Sequence, residues 1–301
     1  MTTEAKTAAA KKVVSVVIGS YNRRTFLKLT IESVRRELDR CALASEIIVV
    51  DGGSGDGTLP WLMKQKDIIT IVQHNRGEWR GKRIERRSWG YFMNLGFKCA
   101  QGKYVCMLSD DSLVVPGAIR NGVRLFEDRL QAGDQIGAVA FYWRNWPEQT
   151  NYSVGLTLGD KMFVNHGLYL KDALAEVGYV DEESFHFYHA DGDLCLKMWQ
   201  NGYACIDSPD SYVEHYYHAT ADVRKSNLET QKKDHCAYLE KWEGIFYDPV
   251  AVNMGGWIEK EFSDNLKTAD LFKRAAPFNC HVKRNALKMV GPFLDKHRGK
   301  K

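Results

Sequence analysis

Apolar runs and polar punctuation alternate in a steady rhythm over the first 130 positions. Residues 13–18 are a β-branched run followed by a turn signal, the pattern of a buried strand. Residues 24–38 carry Leu27, Ile31, Val34 and Leu38 at helical spacing. A second strand is expected at 47–50 and ends on Asp51. The stretch 51–58 (DGGSGDGT) is a tight glycine-rich turn, and Pro60 suits the first turn of a helix. A third strand at 68–72, a helix over 86–100 and a strand at 104–108 follow. Ile119, Val123, Phe126 and Leu130 mark an amphipathic helix opened by Pro116. This alternation predicts an α/β fold, a mostly parallel sheet with helices on both faces.

The second half is less regular. The pattern predicts strands at 136–143 and 154–158, helices at 171–177 and 191–201, and two short strands around Pro209 within 203–215. From about 224 onward the chain is expected to be helical and charged, with an amphipathic helix over 224–243 and a basic one over 282–297.

A chain of 301 residues suffices for one large α/β domain with an appendage. Its seven cysteines are odd in number and form no C-x-x-C pair, which points to free thiols in a reducing compartment. No stretch approaches the roughly 20 apolar residues of a membrane span. Residues 1–12 are polar, read as a flexible arm without a signal-peptide core, and the expected location is cytoplasmic. The net charge of +4 is modest but unevenly placed. Residues 76–87 hold six Lys and Arg, among them Arg83 and Arg87, and a second basic cluster lies near the C-terminus. Either could meet an anionic substrate or an anionic membrane surface. Trp79 and Trp89 interleave the first cluster, yet no nucleic-acid module surrounds it, so no nucleic-acid partner is expected.

Acidic and polar residues fall at the ends of the predicted strands, where open α/β sheets place ligands. The loop 19–23 (GSYNR) could receive a base or a phosphate, and equally be a plain connection. Asp51 could accept hydrogen bonds from a nucleobase or ribose. The glycines after it fit neither the dinucleotide fingerprint nor the P-loop. Asp110 and Asp111 could share a divalent cation with a diphosphate, or cap a turn. Asp191 and Asp193 open a helix; one could be a cap and the other a base. His215 and His218 follow a strand and are either metal-site or structural histidines. The aromatic run 141–146, including Trp143, with His166, could wall a sugar or acceptor, or pack in the core.

In order and spacing these motifs resemble the inverting glycosyltransferases of family 2, which have the GT-A (Rossmann-like) fold. The likeness runs from VSVVIGSYNR and EIIVVDGGSGDGT, through Asn94 and the segment ending in LSDDS, to DGDLCLK at 191–197. It covers about residues 13–220. It implies an enzyme that moves a hexose from a UDP- or dTDP-linked donor to an acceptor hydroxyl with inversion, using Mn2+ or Mg2+, in glycan or polysaccharide assembly. The implied donor-nucleotide residues are Ser20, Tyr21, Asn22, Arg23, Asp51, Gly53, Ser54 and Asp110. Asp111 and His215 are the implied metal ligands, with His218 as understudy. Asp191 takes the general-base position, with Asp193 as its rival. Residues 13–223 would be the GT-A domain, with a nucleotide-sugar half (13–112) and an acceptor half (113–223), and 224–301 a helical extension. The acceptor would be a carbohydrate or lipid-linked glycan, and the basic C-terminus a candidate for peripheral contact with the inner face of the membrane. Three departures stand out. Ser109 begins the metal motif, Ala190 replaces the usual Glu, and the segment between Asn75 and Asn94 is longer than in the family. Competing readings are a retaining GT-A transferase and a non-catalytic nucleotide- or carbohydrate-binding protein.

Overall fold

The computed structural model describes residues 13–216, 228–251 and 254–276. The N-terminal arm, His218 and the basic segment 282–297 lie outside the described residues. The first half contains β1 (Val14–Ser20), α1 (Arg24–Cys41), β2 (Ser45–Asp51), α2 (Thr58–Leu62) and β3 (Ile68–Val72). A small hairpin of β4 (Glu78–Trp79) and β5 (Lys82–Arg83) precedes α3 (Trp89–Cys99), β6 (Tyr104–Ser109), β7 (Ser112–Val114) and α4 (Ala118–Gln131). The second half contains β8 (Ile136–Asn145), β9 (Tyr152–Thr157), β10 (Lys161–Phe163), β11 (Gly167–Leu170), α5 (Lys171–Glu176), α6 (Ala190–Gln200) and β12 (Ala204–His215). Beyond these come α7 (Gln231–Trp242), β13 (Trp257–Lys260) and a 3-10 turn, Thr268–Arg274.

Every strand but the hairpin pair joins one mixed sheet whose spine runs β10-β9-β8-β11-β6-β1-β2-β3. The expected parallel arrangement holds for β3, β2, β1 and β6. Beyond β6 the sheet becomes mixed, because β11 is antiparallel to both β6 and β8. Side chains of β1 alternate between two cores, as the period of two requires. Val14, Val16 and Ile18 pack under α1 and α4, against Leu27, Ile31, Val34, Ile119 and Phe126. Val17 faces α3 and α6, with Phe97, Leu194 and Met198. Gly96 lets α3 come close to β1, since a Cβ there would stand 2.4 Å from the Val17 side chain.

The structure differs from the sequence pattern in four places. The helix expected from 86 begins at Trp89, because the Ser88 hydroxyl caps it by accepting a hydrogen bond from Tyr91 N at 3.1 Å. The two strands expected around Pro209 are one strand, β12. Its register against β8 shifts between Ser208 and Tyr212, where a residue without an N–H costs no ladder bond. Within the stretch expected to be helical, β13 extends the sheet by pairing with β9. The short strands β7, β10 and β11 span only three or four residues, too few to show a period.

Candidate functional site

Register gathers the site at the carboxyl ends of the parallel strands. Ser20 at the end of β1 pairs with Asp51 of β2, and Gly19 pairs with Ser109 of β6. Asp110 and Asp111 follow directly. From the other half, β12 pairs His215 with Ser112 of β7, and Tyr216 N donates to Asp111 O at 2.9 Å. A cavity of about 440 Å³ opens over these ends, within the range usual for small-molecule sites. Ser20, Tyr21, Arg23, Asp110, Asp111, Asp191 and His215 all line it.

Asp110 and Asp111 are buried, and a single guanidinium nitrogen joins them. Arg23 Nη1 lies 2.9 Å from Asp110 Oδ1 and 2.8 Å from Asp111 Oδ2. Of the remaining two oxygens, Asp110 Oδ2 accepts from Ser20 Oγ at 2.9 Å, while Asp111 Oδ1 is buried without a hydrogen-bond partner and lies 3.3 Å from His215 Nε2. Burial pushes the Asp110 carboxyl up, and the neighbouring Asp111 adds to this. Burial pushes Asp111 the same way, yet Arg23 and His215 outweigh it and hold that carboxyl well below the usual range. Burial likewise works against the charge of Arg23, but the two carboxylates overcome it and bind the proton more tightly.

The resemblance implied a divalent ion here, with Asp111 and His215 as ligands. Those two side chains do meet, and although Arg23 takes one oxygen of each carboxylate, Asp111 Oδ1 is left without a hydrogen-bond partner. Among the described residues no group of three or more His, Cys, Asp or Glu is gathered as a metal site. The groups that would hold an ion are Asp111, through the orphaned Oδ1, and His215, through Nε2.

Asp51, expected to read the base, does not line the cavity. It is fully buried, and its carboxylate accepts from Gly53 N (2.9 Å), Ser54 N (2.7 Å) and Ser54 Oγ (2.7 Å). It shapes its own turn, in which Gly53 has a φ of 84°. Asn22, Gly53 and Ser54 also stand behind the cavity wall rather than on it. Asn22 N donates to Ser54 Oγ at 2.8 Å, and Asn22 Oδ1 accepts from Gly55 N at 2.8 Å.

The two acids at the start of α6 part company. Asp191 lines the cavity, where Asn165 Nδ2 donates to its Oδ2 at 3.0 Å and Gly192 N donates to its Oδ1 at 2.9 Å. Its place in the first turn of α6 favours negative charge. Asp193 is buried away from the cavity, bonded by Trp242 Nε1 (3.0 Å) and Lys241 Nζ (2.8 Å) of α7. Asn94 is also structural: it bonds Val180 N and O and the Glu182 carboxylate.

The basic cluster divides too. Arg76, Arg86 and Arg87 line the cavity, whereas Arg83 sits exposed on the hairpin. The Arg76 guanidinium lies over the Tyr21 ring, 5.1 Å from its centroid. Trp143 and His166 both line the cavity. Trp143 meets the His166 and His215 rings edge-on, at 5.9 and 5.7 Å. Burial, with His215 adding to it, pushes the His166 imidazole down to about 3, so it is neutral at ordinary pH. Sequence reasoning missed Asn165 and the segment 186–189, and nothing local marks them. Asp234 of α7 supports that segment by accepting from His186, Phe187 and Tyr188 N at 2.8–2.9 Å.

A family model described as Glycosyl transferase family 2 matches residues 15–176, more than half of the chain and all of it from β1 through α5. No curated protein matches the sequence. Among solved structures, S. aureus TarS 1-349 aligns with a TM-score of 0.55 at 14% identity, covering 90% of this chain and 72% of that one. The same fragment in complex with UDP-GlcNAc gives 0.54 at 15% identity, covering 90% and 73%. Mannosyltransferase PcManGT from Pyrobaculum calidifontis, in complex with GDP-Man and Mn2+, gives 0.55 at 16% identity, covering 94% and 76%. At such identities the likeness is one of fold.

Proposed function

The chain belongs to glycosyl transferase family 2 and is a glycosyltransferase, and from that premise we propose that it moves a sugar from a UDP- or dTDP-linked donor to an acceptor hydroxyl with inversion. The observation that carries the reading is Asp191, an oriented carboxylate that shares one cavity with Arg23, Asp110 and three further arginines. The neighbours solved with UDP-GlcNAc and GDP-Man make a nucleotide sugar the natural donor class.

In this reading the donor lies across the ends of β1 and β6, with its diphosphate toward Arg76, Arg86 and Arg87. Residues 13–112 supply most of the donor side, and 113–223 the acceptor side. The acceptor, a carbohydrate or lipid-linked glycan, enters past Trp143 and the segment 186–189. Its hydroxyl oxygen forms the new bond to the anomeric carbon as the carbon–oxygen bond to the diphosphate breaks. The bonding pair leaves with the nucleotide diphosphate, and Asp191 takes the hydroxyl proton. One such displacement inverts the centre. When bound, a divalent ion held by Asp111 and His215 would neutralise charge on the departing diphosphate. The six cysteines among the described residues are all free.

The test is transfer from a panel of sugar nucleotides, with product stereochemistry read by NMR. Asp191→Asn should lower turnover by about 10²–10⁴-fold, the usual worth of a general base, while UDP affinity stays within a few-fold. Unimpaired turnover in that variant would remove Asp191 from the role, and a retained anomeric configuration would replace the single displacement.

A further inference from the structure

We propose that Asn75 is a positioning residue for the donor diphosphate: its side-chain amide closes the neck of the basic loop 76–86, so that Arg76, Arg86 and Arg87 meet the phosphates as one unit. The inference rests on the donor reading above and concerns how the phosphate-facing arginines are held.

Asn75 ties the two ends of the loop together. Its Oδ1 accepts from Arg87 N at 2.5 Å, and its Nδ2 donates to Arg87 O at 3.3 Å. One side chain thus serves both backbone groups of Arg87, as the opposing residue of a hydrogen-bonded antiparallel pair would. Asn75 is itself anchored, because its N–H donates to Gly52 O at 3.1 Å, just beyond β2. On the far side Ser88 caps α3, and Trp89 N donates to His186 O at 2.8 Å. Both ends of the loop are therefore fixed to the body of the protein.

The arginines fall where that neck matters. Farther out, Ile84 N donates to Gly77 O at 2.8 Å, and the β4–β5 pairs Glu78–Arg83 and Trp79–Lys82 continue toward the tip. Arg76 on one side of the loop, and Glu85 and Arg86 on the other, lie between the neck and this ladder. A two-stranded hairpin is marginal by itself in water, so this stretch depends on being closed at both ends. Asn75, Arg76, Arg86 and Arg87 line the cavity, whereas Lys82 and Arg83 do not. Arg87 also lies 3.7 Å from Glu85, an exposed pair of the kind worth little.

Like charge gathers on this wall. The Arg86 guanidinium is pushed down by burial and next by Arg76, with Glu229 opposing. His186, on the same cavity, is pushed down by burial and next by Arg86; Lys233 and Arg76 add to this and Asp234 opposes it. Cationic groups that repel one another across a cavity favour an anion between them. Guanidinium forks match phosphate oxygens in geometry as well as charge. Keeping such groups together costs free energy, and the neck opposes their separation.

The experiment has two arms. In the first, UDP and uridine binding are measured by calorimetry, with millimolar Mn2+ throughout, for the wild type, Asn75→Ala, Arg86→Ala and the double variant. Asn75→Ala should weaken UDP about tenfold and leave uridine within about twofold, because only the phosphates meet the loop. The double variant should bind UDP within about threefold of the poorer single variant, since Asn75 acts through the arginines. Equal losses of UDP and uridine, or fully additive losses in the double variant, overturn the proposal. In the second arm, trypsin cleavage after Arg76, Arg86 and Arg87 is followed by mass spectrometry, with and without inorganic pyrophosphate. Asn75→Ala should be cut faster than the wild type, and pyrophosphate should protect the wild type more than the variant. Identical rates in the two proteins overturn the proposal. If UDP binds no protein, the nucleotide reading fails and the second arm decides: pyrophosphate protection of the wild type upholds the loop's role, and its absence overturns it. If Asn75→Ala does not fold, Asn75→Ser takes its place in both arms, because its shorter hydroxyl cannot serve both groups of Arg87.

Discussion

Individual side chains at this site are set by burial as much as by charge. His166 shows the sign of the effect. Burial and the adjacent His215 hold its folded-state value at about 3, while an unfolded histidine titrates near 6.5. Between those values the unfolded chain binds the extra proton, so stability falls as pH drops from about 6.5 toward about 3. His166→Gln should remove that component. Chemical denaturation at pH 7 and pH 5 should show the variant losing about 1–2 kcal/mol less than the wild type over that interval. An identical pH slope in both proteins would show that His166 is not held neutral. Asp191 and Asp193 illustrate the same point without titration: two residues apart on α6, one faces the cavity and the other is spent on Lys241 and Trp242. Either could have been the base on residue type and spacing.

At the scale of elements, α7 braces a wall of the site from far along the chain. Asp234 is buried and accepts from three consecutive backbone N–H groups of the segment that leads into α6. Asp234→Ala should destabilise the protein by about 1–3 kcal/mol, the cost of leaving buried donors unpaired, as read by thermal unfolding. Amide exchange at 186–188 should quicken more than exchange in β1 or β6. Uniform exchange across both regions would mean that the brace is not local. The helices themselves were legible, since α1 and α4 lie within a few residues of their apolar periodicity. The start of α3 was not, because Ser88 ends the preceding loop by a cap rather than by any change in pattern.

Across the whole molecule the net charge is small, but its distribution is not, and the cavity collects arginines from the loop at Arg23 and from the stretch 76–87. Binding of a diphosphate there should be partly screened by salt, with a Debye length of about 10 Å at 0.1 M. UDP affinity measured by calorimetry should weaken several-fold between low and high salt, and Arg86→Ala should flatten that dependence while Arg83→Ala leaves it unchanged. Equal slopes for the two variants would place the diphosphate elsewhere. The sequence alone determined the alternation of strands and helices, the parallel half of the sheet and the acidic strand ends, because periodicity and turn chemistry are local properties of a chain. Which polar groups face the cavity was settled only by tertiary structure. Asp51 turned into its own loop, Arg23 reached acids 87 and 88 positions away, and Asp234 reached back across 46 positions and more. A side chain's partner depends on register and packing between distant segments, and no spacing within a single segment encodes it.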